Sequence, residues 1–258
     1  MEYIKNREVE EIEEFDEISQ IPDDAHVLHM WTPLEFDVKS DYNFVPKAKL
    51  FRLASSILYL VAAPILFVYN KITLGFSIKG WKKLRKVKGA KITVSNHIHP
   101  MDCTMNAIVN IPHKTYFPTI KENFQIPIIR DIIKLLNAIP IPEKMEAKKQ
   151  FVREMNELLQ KGKTIHFYPE AAMHPYCKKL RNFKKGAFEL AVENNVPIVP
   201  FVYIFKEPEG IYKLWKDKPC IQVQVLDPVY PREHTNKGEE ARRLKEEVYQ
   251  KMNEVIQK

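Results

Sequence analysis

Two side chains in residues 91–103, KITVSNHIHPMDC, have the types and spacing for proton transfer. His97 and Asp102 have four residues between them. If the chain passes here from a strand into a helix capped by Ser95 or Asn96, Asp102 falls about one turn beyond His97. A carboxylate so placed reaches one imidazole nitrogen and fixes the tautomer. The other nitrogen is then left to take a proton from a hydroxyl. This is the base half of a nucleophile–His–acid triad. It suits direct transfer, in which the substrate's own hydroxyl attacks.

The same stretch admits a metal instead. His97-x-His99 at a strand end puts two rings on one side, a spacing that metal hydrolases use. Further ligands would have to come from His113, His166 or His174, and no second paired signature accompanies them.

The surrounding pattern alternates strands with helices. Strands are expected at residues 92–94, 114–120, 139–141, 164–168, 196–203 and 221–226. Helices are expected at residues 104–110, 126–136, 146–159, 186–194 and 238–258. Residues 146–159 place Phe151, Met155, Leu158 and Leu159 on one face, and Gly162 ends that helix. Such alternation predicts an α/β domain with a mostly parallel sheet flanked by helices over residues 79–258.

Ahead of it, residues 53–69 form a 17-residue run without a charge. That is short for a bilayer crossing, which takes about 20 apolar residues. Pro64 is expected to kink or break it. Lys47, Lys49 and Arg52 precede the run. A membrane-associated helical segment at residues 48–78, lying in one leaflet, is therefore expected; the alternative is a buried core helix. The basic run from Lys79 to Lys91, with Trp81 inside it, would hold such a segment against anionic lipid.

The net charge of +7 is unevenly spread: residues 1–24 carry ten acids and two bases, −8, so the remainder carries +15. Within the N-terminal extension, residues 1–47, the acidic residues 1–24 read as a mobile tail or a short amphipathic helix and residues 25–47 as irregular. The basic body calls for an anionic partner, and without a recognition motif that partner is not nucleic acid. With seven glycines there is no Gly-rich phosphate loop. Cys103, Cys177 and Cys220 lack close pairing and suit a reducing compartment. The first apolar run begins far from Met1, so no signal peptide is expected.

Four blocks, in order, resemble the glycerolipid acyltransferase family of the lysophosphatidic acid acyltransferase kind. They are Asn96-His97-x4-Asp102; Lys121-Glu122-Asn123-Phe124 with Pro127 beyond; Phe167-Tyr168-Pro169-Glu170; and residues 196–200, VPIVP. Residues 183–188, FKKGAF, resemble the family's link between the last two, and the likeness covers residues 50–226. It implies an O-acyltransferase that moves a fatty acyl group from acyl-CoA or acyl-carrier protein to a lysolipid hydroxyl at a membrane, on its cytoplasmic face, with no resident cofactor. His97 would be the base and Asp102 its orienting acid. Asn96, Lys121, Pro169, Glu170 and Ala171 would serve substrate binding, with oxyanion donors among the backbone N–H groups of residues 169–172. Glu170 would hold the acceptor or brace its loop.

The family's third motif continues Gly-Thr-Arg-Ser, its Arg binding phosphate; here Ala171, Ala172, Met173 and His174 stand in those places. The second block's Arg position holds Glu143. Lys178, Lys179 and Arg181 are the bases available to substitute. A catalytically silent lipid-binding homologue is the alternative those departures leave.

Overall fold

The computed structural model describes residues 36–39, 41–233 and 236–258. The acidic segment and the amphipathic pattern read in it lie outside them.

A 26-residue helix, α1 (Lys49–Leu74), comes first. It runs unbroken through Pro64, contrary to expectation. It ends at Gly75, whose φ of 58° is left-handed. A Cβ there would collide with Cys220 Sγ, so both backbone and space call for glycine. Then follow β1 (Ser77–Lys79), α2 (Trp81–Lys86), β2 (Lys91–Ser95), α3 (Asp102–Asn110) and β3 (Thr115–Thr119). A 3-10 turn (Lys121–Phe124) leads to α4 (Pro127–Leu135), β4 (Ala138–Pro140), α5 (Met145–Gln160) and β5 (Thr164–Phe167). The chain closes with α6 (Gly186–Glu193), β6 (Ile198–Lys206), a second 3-10 turn (Gly210–Leu214), β7 (Cys220–Val225) and α7 (Lys237–Ile256).

The strands form one sheet in the order β1-β7-β6-β2-β5-β3-β4. From β6 to β4 the neighbours are parallel; β7 is antiparallel to β6 and carries β1 alongside it. The antiparallel β6–β7 pair makes the sheet a mixed one at that edge, and the three-residue β1 beyond it has too little periodicity to read from sequence.

Period-2 alternation divides the core. On β6, Ile198 and Val202 join Ile92, Val94 and Ile165 beneath α5, α6 and α7, while Val199, Phe201 and Tyr203 face Met105 and Val109 of α3. The helices thus cover both faces, and β2 is buried along its whole length.

α1 lies along this body by one edge. Tyr59 donates to the Ala107 carbonyl (3.0 Å), and Asn70 Nδ2 to Thr104 Oγ1 (2.9 Å). Only Ser55, Asn70 and Leu74 are buried, whereas Leu53, Ile57, Leu60, Ile65 and Val68 are exposed. α1 is therefore no buried core helix, and it is long and apolar enough to cross a membrane. Ile128, Ile129 and Ile132 of α4 are exposed as well.

Candidate active site

β2 and β5 run parallel side by side, so their C-terminal ends deliver residues 96–102 and 168–172 to one edge of the sheet. Asp102 opens α3 and is fully buried. Its Oδ2 accepts from His97 Nδ1 (2.9 Å), Ile98 N (2.8 Å) and His99 N (3.0 Å). One carboxylate oxygen thus folds the 97–102 turn and orients the imidazole. The expected caps do not cap α3, whose N-cap is Met101. Among the described residues His97 Nε2 has no hydrogen-bond partner, and the side chain is 23% exposed.

Behind the ring, Tyr168 stacks on His97 with centroids 4.0 Å apart. Tyr168 is held in turn by a buried polar network. Asn106 Nδ2 donates to Tyr168 Oη and to His166 Nε2, both at 2.9 Å, and Tyr203 Oη donates to Asn106 Oδ1 (2.7 Å). Since His166 Nε2 accepts, its Nδ1 carries the proton and donates to Thr93 Oγ1 (2.8 Å). Of these residues only Tyr168 belongs to a motif. The parallel pairing of Thr93 with His166 brings them together, a register that alternation alone does not fix.

Burial pushes the His166 pKa well below its ordinary value, and His97 nearby adds to this. A folded pKa below the unfolded value of about 6.5 means that acid favours the unfolded chain. Stability is retained above about pH 6.5 and falls below it, by up to about 1.4 kcal/mol per pH unit for this one proton. Urea unfolding of His166→Gln across that range is expected to lack this part of the slope.

Glu170 braces the site rather than facing a substrate. Its Oε2 accepts from His97 N (3.0 Å) and from an Arg181 guanidinium nitrogen (2.9 Å), and its Oε1 from Arg181 N (3.0 Å). Burial pushes its pKa up, and Arg181 and the two backbone donors oppose that. Arg181 also reaches the Ala172 carbonyl. It is buried against Glu170, so it is withdrawn from the role of substrate-facing base. The 170s loop is further sewn to the His97 turn by His174 N to His97 O (3.1 Å) and Tyr176 N to Ile98 O (2.9 Å).

Other expected ligands are likewise committed elsewhere. Asn96 is buried, its Oδ1 accepting from Tyr203 N (2.8 Å) and its Nδ2 donating to Tyr203 O (3.0 Å), which ties β2 to β6. Lys121 pairs with Glu143 (2.7 Å). Pro169 has no N–H, Ala171 N bonds to Tyr168 O (3.0 Å) and Ala172 N to Glu170 O (2.9 Å), so of the expected oxyanion donors only the Glu170 N–H is not engaged within the turn. Lys178 and Lys179 are exposed on the same loop.

Ala171 takes a φ of 68° where the resemblance expects glycine. A left-handed alanine costs roughly 1–2 kcal/mol, and glycine's unfolded-state entropy returns part of that. Ala171→Gly is expected to raise stability by about 1 kcal/mol, read as a higher urea midpoint with an unchanged slope.

An apolar pocket of about 260 Å³ is walled in part by Tyr168, the ring that stacks on His97; His97 itself does not line it. Tyr59 and Leu66 of α1, Ala107 and Ile108 of α3, Ile133 of α4 and Tyr168 line it. Cys103 and Thr104, in the first turn of α3, are part of its wall. Cys103 is exposed at that wall, yet the protein atoms packed around its thiol, and the Asp102 charge, push it up to about 11, so it is not a thiolate near neutrality. His99 Nδ1 accepts from Met101 N (3.1 Å), and burial lowers its pKa. His97 Nδ1 is taken by Asp102, and among the described residues no three His, Cys, Asp or Glu side chains gather as metal ligands would.

The acyltransferase family model matches residues 76–204. Chloroplastic 1-acyl-sn-glycerol-3-phosphate acyltransferases of Brassica napus and Arabidopsis thaliana are 28% and 29% identical over 48% of this chain. The chain spans only about a third of those relatives' length, 35% and 34%. The Saccharomyces cerevisiae 1-acyl-sn-glycerol-3-phosphate acyltransferase is 22% identical over 76% of the chain and 66% of its own. The crystal structure of PlsC, the 1-acyl-sn-glycerophosphate acyltransferase of Thermotoga maritima, superposes with a TM-score of 0.53 over 79% of each chain, at 22% identity, and shares the fold. With the family model matching half of its residues, from the end of α1 through most of β6, this chain belongs to the acyltransferase family.

Proposed function

We propose that this protein transfers a fatty acyl group from a thioester, on CoA or a carrier protein, to the hydroxyl of a lysolipid at a membrane surface. The observation that carries the reading is the imidazole itself. Its Nδ1 is fixed by buried Asp102 at 2.9 Å, while Nε2 is unbonded, and the Tyr168 ring stacked on it walls an apolar pocket. His97 Nε2 removes the acceptor's proton as the oxygen attacks the thioester carbonyl. A C–O bond forms, the C–S bond breaks, and the imidazolium returns its proton to the departing thiolate. Asp102 keeps the Nδ1–H tautomer and balances the transient cation. The acyl chain occupies the apolar pocket. The first turn of α3 borders that pocket, and its N-terminal dipole favours charge developing on the carbonyl oxygen.

No arginine stands where the family's phosphate ligands stand: Met173 occupies one place, and Glu143, already paired with Lys121, the other. The acceptor is therefore a lysolipid held without those contacts. The test offers labelled acyl-CoA and acyl-carrier protein with phosphorylated and unphosphorylated lysolipids. Label should enter a lysolipid ester, with phosphate improving KM little. No ester from either donor would refute the reading.

α1 supports attachment to one leaflet. Its contacts to the domain run from Ser55, which accepts from Lys114 Nζ, to the carbonyl of Thr73, which accepts from Lys216 Nζ. A helix so packed along its length cannot cross the bilayer without carrying the domain with it, but it can lie flat. Leu53 and Leu60 are 57% and 77% exposed. Leu53→Lys with Leu60→Lys is expected to move the protein from the membrane pellet to the supernatant without shifting its unfolding midpoint. Retention in the pellet would count against this role of α1.

A further inference from the structure

The opposite edge of the sheet holds a second concavity, larger than the first and of different character. It measures about 1000 Å³ and lies where β2 and β5 begin, at Lys91 and Thr164. His97 lies six positions beyond Lys91, about 20 Å along an extended strand.

Bases dominate its wall. Arg52, Arg85, Lys88, Lys91, Lys114 and Lys163 all line it. None forms an ion pair among the described residues. Its acids, Glu154 and Glu157, are already neutralised: Lys47 lies 3.9 Å from the first and 3.4 Å from the second, and Lys161 2.9 Å from the second. Lys91 is buried, with Nζ donating to the Gly89 carbonyl (2.9 Å). Lys114 Nζ donates to the hydroxyls of Ser55 (3.0 Å) and Ser56 (2.9 Å). Buried or crowded ammonium groups are costly without a counter-charge. That cost shows in lowered pKa values: Lys91 through burial and Lys88, Lys114 through burial, Arg52 and Lys163, and His113 at the rim through burial and the same bases. An arriving anion would relieve all three.

We propose that this cavity is a second ligand site, distinct from the His97 pocket, which takes the phosphomonoester head group of an anionic membrane lipid. A compact dianion suits several unpaired bases converging on one hollow. The choice of a lipid as its source rests on reading α1 as membrane-facing. The first two turns of α1 wall the cavity with Phe51, Arg52, Ser55 and Ser56, while Leu50, Leu53 and Ile57 of the same turns are exposed. With α1 lying flat, the cavity at its first two turns and the apolar pocket at its middle, lined by Tyr59 and Leu66, open beside the same leaflet.

The test floats the full-length protein with three vesicles: phosphatidylcholine alone, or with phosphatidylserine or phosphatidate added to equal surface potential. Lys114→Gln with Lys163→Gln alters the cavity. Lys82→Gln with Lys86→Gln removes two exposed bases that do not line it. Phosphatidate vesicles should bind at least about tenfold more tightly than phosphatidylserine ones. The cavity variant should lose that preference, and the surface variant should keep it while weakening on both anionic vesicles. Equal binding at equal potential, or a preference that survives in the cavity variant, would overturn the proposal. Inorganic phosphate that binds the cavity as tightly without vesicles would make the ligand a free phosphate and overturn the lipid assignment. Binding that appears only after Glu10, Glu11, Glu13 and Glu14 are changed to Gln would give the cavity to the chain's own acidic segment, with the same consequence. Failure on every vesicle would count against the membrane reading of α1, whereas failure confined to the phosphatidate preference counts against the cavity alone.

Discussion

Arg181→Met is expected to cost about 3–5 kcal/mol of folding stability, because it strands the buried Glu170 carboxylate without its counter-ion. The Glu170 and Arg181 side chains are only 1% and 5% exposed, so water cannot take the place of the lost partner. Equilibrium unfolding in urea would show a lower midpoint. The loss has a pH signature. Without the guanidinium, burial raises the Glu170 pKa further, and the group becomes neutral more readily as pH falls. The difference between variant and parent should therefore be largest near neutrality and shrink towards the carboxyl range. A difference independent of pH would mean that packing, not charge, gives Arg181 its value.

His97→Ala is expected to lower kcat for acyl transfer by about 10²–10⁴-fold, the usual worth of a positioned general base. KM for the donor should change little, because the apolar pocket proposed for the acyl chain stays intact. Asp102→Asn should also lower kcat, since an amide nitrogen turned towards His97 Nδ1 favours the wrong tautomer. Asp102 Oδ2 also holds the backbone of Ile98 and His99, so an unchanged unfolding midpoint is the control that assigns the loss to chemistry. Parent-like transfer by His97→Ala would remove the imidazole from the mechanism.

The order of helices and strands was legible because period-2 and helical runs here are long and separated by Pro, Gly and Asn. The His97–Asp102 pair was legible because its reach is local, within one turn of chain. What sequence could not supply was which long-range partner each polar side chain would choose. Arg181 and Lys178 lie three residues apart in one basic run, yet Arg181 is buried on Glu170 and Lys178 is exposed. Asn96 adjoins the base and looked like a ligand or a cap, but it serves the β2–β6 junction. Pro64 was expected to interrupt α1. The helix continues because losing one N–H bond on a half-free helix is tolerable where flanking turns are anchored through Tyr59 and Asn70. The Tyr168 support for the imidazole was hidden most completely, since it depends on the register between two strands some seventy residues apart.

Direct transfer makes one demand that no acyl-enzyme route shares. The protein, mixed in stoichiometric amount with radiolabelled acyl-CoA or acyl-carrier protein and no acceptor, should stay unlabelled after denaturation. Adding a lysolipid should then release thiol and form labelled ester in equal amounts, and His97→Ala should do neither at a comparable rate. Label covalently held on the protein before any lysolipid arrives, for instance on Cys103 at the pocket wall, would contradict an imidazole that works by taking the acceptor's proton.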